Sequence, residues 1–493
     1  MTPSVTVSAP GKVLLAGGYL VLDRKYSGLV FGLDARIFVR IEPVPTGYGV
    51  ALSEVVVRSL QFRQAEWRYG YRTMEEGGGI AVKQLQSSPS PARSTNPFVE
   101  TALGYALTYV STLTSASIAP SSVTILADDA YYSSSSPPSS SSSVPPSASP
   151  SPPHHFTRFD TTLSDAHKTG LGSSAALVTA FVGAVLSHYL TADQFSLATD
   201  DGKRRLHNLA QIAHCAAQGK VGSGFDVAAA VYGTCVYQRF SPAVLESLGE
   251  IGSSGFVAQL RDLVEDPAPL TRWDMTIRKD ALKLPPGVRL ILCDVDCGSQ
   301  TVGMAKKVLA WRAECPEQAE ELWYQLNNEN GLLHTHLNIV NAQANDQGDL
   351  SQAWDRDLDD IARAPTPRGI GARPEEDRLW LGQYVQLQLN ILAIRHWLRS
   401  MSISTGVPIE PPMQTRLLDI CSKIPGVLGG VVPGAGGFDA IVLIAIDRAE
   451  VDTNLHEVLN KWNDTQETKV HRLEVKQSTD GVREEQNHQY ILT

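Results

Sequence analysis

The chain has 493 residues, 43% hydrophobic and 19% charged, a composition typical of a folded protein with about two to four domains. Its 42 Lys and Arg against 52 Asp and Glu give a formal net charge of -10, which argues against a general nucleic-acid-binding protein. The N terminus has no signal-peptide pattern, no apolar run reaches membrane-spanning length, and six cysteines are too few for a disulfide framework, so we expect a cytoplasmic protein without membrane association.

The predicted elements mix strands and helices in both halves of the chain, which indicates an α+β or α/β fold. The helix that follows residue 95 has a clear start, because Asn96 and Pro97 fit an N-cap and a first helical position. In chain order we expect strands at 4–9 and 28–41, helices at 96–112, 172–190, 203–218 and 226–232, a strand at 288–293, helices at 300–328 and 377–400, and a buried strand at 440–446.

A run rich in serine and proline interrupts the first half. Residues 133–153 contain 12 Ser and 7 Pro, too few apolar groups to offset the entropy lost on ordering the chain. Because this run separates two predicted strands, at 123–127 and 155–159, we expect a disordered insertion within one domain. A weakly patterned stretch at 241–287 is the better candidate for a domain boundary.

Four glycine-rich segments carry the main functional signal. The first places Lys12 between a Pro-Gly turn and an apolar strand, two others open predicted helices, and the last precedes a buried strand. They are Ser8–Tyr19, Lys168–Ala176, Lys220–Val227 and Pro433–Asp439.

The second of these segments predicts a phosphate site. Gly170 and Gly172 allow the backbone to approach an anion, and the following helix offers unpaired N–H groups at the positive end of its dipole. Ser173 and Ser174 add hydroxyl groups in the first turn, where a hydroxyl can also bind Mg²⁺.

Other interpretations of these loops were weighed against the phosphate site. Residues 170–175 fit the dinucleotide-binding pattern G-x-G-x-x-A, with Asp193 about 20 residues on, but the expected βαβ periodicity is not evident. The P-loop sequence does not occur. Any one loop alone is typical of a tight turn, whereas their combination with Lys12 and Asp226 favours phosphate chemistry.

Three motifs, in the same order along the chain, resemble those of the GHMP kinase superfamily. They are Pro10-Gly-Lys-Val13 with Gly17-Gly-Tyr19, Gly170-Leu-Gly-Ser-Ser-Ala175, and Gly434-Ala-Gly-Gly437. Within the superfamily the chain is most similar to the fungal-type phosphomevalonate kinases, through Asn96–Glu100, Lys168–Ser174, Gln218–Asp226 and Pro425–Gly437. The likeness covers roughly 4–240 and 288–447, and it leaves out the Ser/Pro-rich run and the polar tail after about residue 475.

The resemblance implies a two-domain α+β fold with the active site between the domains. A ribosomal-protein-S5-like domain would span 1–240 and a ferredoxin-like domain 241–493. The implied reaction is ATP-dependent phosphorylation of (R)-5-phosphomevalonate in isoprenoid and sterol synthesis, with Mg²⁺, by a monomer or weak dimer that binds small molecules and no nucleic acid. Mevalonate kinase, or another small-molecule kinase of the superfamily, and a non-catalytic ATP-binding sensor remain as alternatives.

The same resemblance assigns roles to individual residues. Lys12 would stabilise the transferred group, and Asp226 would act as a base, orient Lys12 or hold the metal. The candidates for ATP binding are Lys168, Gly170, Leu171, Gly172, Ser173, Ser174, Ala175 and Asn96, with Ser174 also the Mg²⁺ ligand. The candidates for substrate binding are Tyr19, Lys220, Ser223, Gly224, Ser299, Thr301, Gly436 and Gly437.

One position departs from the family pattern. Mevalonate kinases place a metal-binding glutamate eleven residues before the aspartate, and Cys215 stands there in this chain, next to His214. A buried histidine or cysteine on a helix is more typical of a core than of a metal site. Gln218, one turn from His214, is a candidate ligand, so the sequence leaves the second Mg²⁺ ligand open.

Overall fold

The structure is a computed structural model. It describes residues 4–45, 47, 52–85, 95–133, 154–267, 272–296, 303–345, 351–363, 378–486 and 490–492. The predicted disordered insertion therefore lies, apart from its first residue, outside the described residues. Among the residues that are described, no helix combines the length and the apolar character needed to cross a membrane.

The first part of the chain, to residue 278, forms helices and strands at most of the predicted places. Its elements are β1 (Val5–Ala16), β2 (Ser27–Pro43), β3 (Glu54–Ser59), β4 (Glu66–Thr73), β5 (Ile80–Gln84), α1 (Pro97–Leu113), β6 (Ser121–Ala127), β7 (His154–Phe156), α2 (Ser173–Tyr189), α3 (Asp200–Gln218), α4 (Phe225–Tyr232), β8 (Cys235–Gln238), α5 (Phe256–Glu265) and β9 (Thr276–Arg278).

The remainder of the chain is richer in helix. Its elements are β10 (Val288–Val295), α6 (Met304–Glu314), α7 (Pro316–Asn345), α8 (Ser351–Arg363), α9 (Arg378–Thr405), α10 (Pro412–Cys421), β11 (Val427–Val431), β12 (Ala440–Ile446), α11 (Ala449–Thr465), β13 (Val470–Arg472), β14 (Gln477–Ser478), β15 (Arg483–Glu484) and β16 (Tyr490–Leu492).

Two of these elements differ from the prediction for identifiable reasons. The helix expected over 300–328 is two helices, because Pro316 cannot continue the hydrogen-bond ladder of α6 and instead begins α7. The strand expected over 4–9 continues through Pro10 to Ala16, and its register against β2 shifts between Pro10 and Lys12. Such an irregularity lets a strand carry a residue without an N–H group.

A large sheet forms the first structural unit. Its main path runs β15-β1-β2-β6-β3-β4-β5, and β14 and β8 also pair with β2. Helix α2 lies on β1 and β2, and α1 and α3 pack beside it. Because α2 is rich in Ala and Val and most of its residues are buried, it can sit at the centre of this layer.

A smaller antiparallel sheet with strand order β11-β12-β10-β13 forms the second unit. Strand β12 is buried along almost its whole length, and helices α9 and α10 contact β11. The arrangement of two α+β units matches the fold class that the resemblance implies.

Two segments pack with the first unit although the sequence analysis placed them outside it: the residues after 240 and the polar tail. Strand β9 pairs with β8, and α5 contacts α1 and α3, so residues after 240 belong with the first unit. The predicted boundary at 240/241 stays untested, and we propose a division near residue 287, because β9 and α5 pack with the first unit. The polar tail, expected to lie outside the family-like part, also returns: β14 pairs with β2 and β15 with β1.

Candidate active site

The loop before α2 contains two glycines in a left-handed backbone conformation. Gly170 and Gly172 have φ angles of +72° and +81°, in the left-handed region that favours glycine, and Gly172 is the N-cap of α2. Ser173 and Ser174 are the first two helical residues. The backbone N–H of Lys12 donates to the Leu171 carbonyl at 2.9 Å, which fixes this loop against β1.

The side chain of Lys12 lies directly against this loop. A Cβ atom at Gly172 would be 2.8 Å from Lys12 Cε, and Lys12 Nζ donates to the Gly170 carbonyl at 3.3 Å. Burial lowers the pKa of the Lys12 ammonium, and the negative charge of Asp226 opposes that shift. The Lys12 amino group therefore stands beside the N terminus of α2, with Asp226 favouring its charged form.

A second glycine loop brings Asp226 to the same place. Gly224, with φ +86°, is the N-cap of α4, and Asp226 lies in its first turn, where Oδ1 accepts from the Val227 N–H at 3.0 Å. Added bulk at Gly224 would meet the Tyr237 hydroxyl at 2.5 Å. That hydroxyl donates to the Ser223 carbonyl at 2.8 Å, so the loop is packed onto β8.

Arg239 binds the backbone of the loop that precedes α4, and the sequence analysis did not identify it. Its guanidinium donates to the carbonyls of Val221 and Gly222, and to the Leu22 carbonyl at 2.6 Å. Burial lowers its pKa, with nearby polar groups opposing the shift. The only hint in the sequence was a basic residue just after a buried strand, a pattern that many unrelated proteins share.

His214 connects the two loops. It is 2% exposed on α3, its Nε2 lies 3.1 Å from Ser174 Oγ, and its Nδ1 lies 3.9 Å from Asp226 Oδ2. The amide nitrogen of Gln218 is 3.2 Å from the same Nε2. His214 is thus buried, as the sequence interpretation expected, but it also contacts the site.

Cys215, the residue at the departing position, behaves differently. Its thiol is buried and lies 3.1 Å from the Gln211 amide nitrogen. Burial raises the pKa of the thiol, which disfavours the thiolate that a metal would need. Cys215 is therefore a core residue.

The last glycine loop approaches from the second unit. The Gly434 N–H donates to the Leu14 carbonyl at 3.2 Å, and the Tyr19 hydroxyl donates to the Ala435 carbonyl. Added bulk at Gly18 would lie 2.3 Å from the Gly434 carbonyl oxygen. These close contacts join the turn at 17–19 to the loop that begins at residue 433.

Comparison with known proteins places this geometry in a family. The model for the GHMP kinases N terminal domain matches residues 158–234, which contain both loops around α2 and α4. A phosphomevalonate kinase of Gibberella zeae is 46% identical over 487 residues, covering 98% of this chain and 97% of that protein. The chain belongs to the phosphomevalonate kinases.

A more distant relative and a solved structure extend the comparison to the family and to the fold, respectively. A protein of Arabidopsis thaliana named phosphomevalonate kinase, peroxisomal, is 33% identical and covers 90% of each chain. The solved phosphomevalonate kinase of Streptococcus pneumoniae, in complex with phosphomevalonate and AMPPNP, has a TM-score of 0.56 at 14% identity and covers 97% of this chain and 100% of that one. The two-domain α+β kinase fold is confirmed, and the family likeness spans the polar tail that the sequence interpretation excluded.

Other predicted site residues of this phosphomevalonate kinase family member lie at the margins of these loops, at the start of α1 or outside the described residues. Lys168 and Lys220 are exposed at the ends of the two loops, and Asn96 caps α1 by accepting from the Val99 N–H at 3.3 Å. Ser299 and Thr301 fall outside the described residues. Among the glycines of the last loop, Gly436 packs tightly against the Ile409 carbonyl, and the Gly437 N–H donates to that carbonyl at 2.9 Å.

Proposed function

We propose that this chain transfers the γ-phosphoryl group of ATP to (R)-5-phosphomevalonate, giving 5-diphosphomevalonate and ADP. One observation carries the chemistry: the Lys12 side chain packs against Gly172 at the N terminus of α2, with Asp226 as its electrostatic partner. A phosphoryl group bound at that helix end would meet both the helix dipole and the ammonium.

In this reaction an oxygen of the acceptor phosphate forms a bond to the γ-phosphorus while the bond to the β–γ bridging oxygen breaks. Negative charge develops on the transferred group and the leaving ADP, so fixed positive groups lower the barrier. Lys12 fills that role for the transferred group. The N–H groups of the first turn of α2 bind the phosphates of the nucleotide, and Gly170, Leu171, Gly172, Ser173 and Ala175 shape that cradle.

Asp226 has a different task from the base of an alcohol kinase. The second pKa of a phosphate monoester is about 6, so the acceptor is already largely ionised at neutral pH and needs no strong base. The carboxylate opposes the loss of charge on the half-buried Lys12 ammonium. We infer that Asp226 keeps Lys12 protonated and aimed at the transferred group.

The exposed lysines suit a pair of anionic substrates. Lys168 and Lys220 stand at the ends of the two loops, where their ammonium groups can approach ATP and the acceptor phosphate. We propose that the acceptor lies against the loop at 220–224 and the turn that contains Tyr19. The other contacts stay predictions. They are Ser223, Gly224, Gly436, Gly437, Ser299 and Thr301 for the acceptor and Asn96 for the adenine.

The side chains at the site fit Mg²⁺ bound together with a nucleotide. Mg²⁺ prefers oxygen ligands and is held in kinases by one or two protein groups, with phosphates and waters completing its shell. Ser174 offers a hydroxyl and Asp226 a carboxylate. No group of three acidic, His or Cys side chains gathers among the residues that the structure describes, and we expect phosphates and waters to complete the Mg²⁺ shell. When bound, Mg²⁺ would neutralise phosphate charge.

A coupled assay of ADP release tests the proposal. Phosphomevalonate should support turnover, and mevalonate at the same concentration should not. Turnover of mevalonate alone would identify a mevalonate kinase, and nucleotide binding without any turnover would favour the sensor alternative. Chromatographic detection of 5-diphosphomevalonate distinguishes transfer from simple ATP hydrolysis.

Two further properties remain predictions. A cytoplasmic location was expected from the sequence, whereas a plant relative carries the word peroxisomal in its name. Microscopy of the protein tagged at its N terminus distinguishes the two compartments. A monomer or weak dimer is expected in solution, and light scattering over a range of concentrations measures it.

A further inference from the structure

A buried polar cluster lies beneath the two loops of the site. His214 is at its centre, and its ring is stacked on Phe98, with ring centroids 5.7 Å apart and an interplanar angle of 30°. Its two nitrogens face opposite partners: Nε2 faces Ser174 and Gln218, and Nδ1 faces Asp226. His214 therefore lies next to two side chains with proposed roles: Ser174, a ligand of the nucleotide-bound metal, and Asp226, the partner of Lys12.

The partners determine where the proton of a neutral imidazole resides. The amide nitrogen of Gln218 can only donate, so it calls for the lone pair on His214 Nε2, which the Gln218 N–H and the Ser174 hydroxyl proton then share. The ring proton is left on Nδ1, where it faces the Asp226 carboxylate. The opposite tautomer would direct a lone pair at that carboxylate, which is electrostatically unfavourable.

This arrangement has a consequence for Ser174. A hydroxyl that binds a cation must direct its proton away from the cation and its lone pairs toward it. When Ser174 donates its proton to His214 Nε2, the lone pairs of its oxygen point away from His214, at the first turn of α2. The second nitrogen, Nδ1, lies 3.9 Å from Asp226 Oδ2, beyond hydrogen-bond distance.

We propose that His214 is a positioning residue that orients the Ser174 hydroxyl through Nε2. The proposal rests on the proposed function, because it assumes that a metal-bound nucleotide occupies the N terminus of α2. Partners of this kind, which hold a metal ligand in place, typically change metal affinity by about 10–100-fold when they are removed.

Two substitutions separate the roles of the nitrogens. His214→Gln reaches to the position of Nε2 and keeps an acceptor for Ser174, whereas His214→Asn stops at the level of Nδ1 and loses it. His207→Asn is the matched control, because His207 is equally buried on α3 but contacts Asn208, Tyr232 and Trp273 instead of the site.

The measurement is the binding of Mn²⁺ in the presence of AMPPNP, followed by electron paramagnetic resonance without any acceptor. His214→Asn should weaken Mn²⁺ binding by about 10–100-fold, while His214→Gln and His207→Asn retain most of the wild-type affinity. Equal losses in both His214 variants, no loss in His214→Asn, or an equal loss in His207→Asn would overturn the proposal. Thermal melting shows which variants are folded.

A second measurement needs no destabilised variant. The measurement uses ¹⁵N spectra of histidine-labelled wild-type protein without metal, in which the His214 signal is the one that is missing from His214→Gln. This signal should show a protonated Nδ1 and an unprotonated Nε2. A protonated Nε2 would refute the proposed orientation of Ser174. Neither measurement uses phosphomevalonate, so an enzyme that binds Mn²⁺ and AMPPNP but does not phosphorylate phosphomevalonate would refute the proposed function alone.

Discussion

Replacing Gly172 with alanine should inactivate the enzyme by moving Lys12. The new Cβ would lie 2.8 Å from Lys12 Cε and 3.1 Å from Lys12 Cγ. Carbon atoms pack at about 3.5–4.0 Å, so the flexible lysine chain must withdraw by roughly 1 Å. A misplacement of about that size at a reacting group costs on the order of 100-fold in rate. We expect kcat/KM for phosphomevalonate to fall by about that factor in the ADP-release assay.

The backbone strain of the substitution can be controlled. Gly172 has φ +81°, and alanine in a left-handed conformation costs about 1–2 kcal/mol wherever it occurs. Gly406 has φ +64° with no atom within 4 Å of an added Cβ, so Gly406→Ala carries the strain without the collision. Both variants should lose similar stability in urea, and only Gly172→Ala should lose activity. Near-normal activity in Gly172→Ala, or an equal loss in Gly406→Ala, would refute this explanation.

Three further predictions follow from buried charges. Lys12→Met should reduce turnover by at least about 100-fold, since it removes a stabiliser of developing charge, and a rate near that of the wild type would exclude this role. Glu410→Gln should lower the free energy of unfolding in urea by about 3–5 kcal/mol, because Arg395 (1% exposed) would lose the carboxylate that lies 2.8 Å from its guanidinium. Asp419 also contacts Arg395. A loss below about 1 kcal/mol would contradict this prediction. Burial raises the pKa of Asp294 to about 6, with the charge of His167 opposing, so the folded protein holds this proton more tightly than the unfolded chain and stability falls as pH rises from about 4 to 6. Asp294→Asn should flatten that slope in urea titrations, and an unchanged slope would show that Asp294 does not titrate there.

The turns and helix starts of the site could be predicted from sequence, because each depends on a few consecutive residues. The loop at 170–174, the start of α4 and the cap of α1 all appear where glycine, serine and asparagine patterns put them. Such patterns reflect backbone geometry within a single turn, and a single turn is within the reach of sequence reasoning.

The parts that join distant segments could not be predicted. Arg239 reaches back 17 residues to the Gly222 carbonyl, and His214 meets Ser174 across a separation of 40 residues. In the sequence, His214 has the same appearance as any histidine in a buried helix, and only the packing of α3 against α2 brings it to Ser174. The same limit applies to β14 and β15, whose short polar sequences carry no strong strand signal of their own.

The pairing of β15 with β1 also bears on how the protein is made. Ser8 and Arg36 are buried against Glu485, and Ser8 and Glu485 are 477 residues apart in sequence. At roughly 5–20 residues per second, a ribosome needs on the order of tens of seconds to pass from one to the other. Throughout that interval the nascent first sheet carries an unpaired outer edge at β1, the kind of edge that attracts other strands. This edge of β1 is therefore covered only at the end of translation, after most loops of the site have been synthesised.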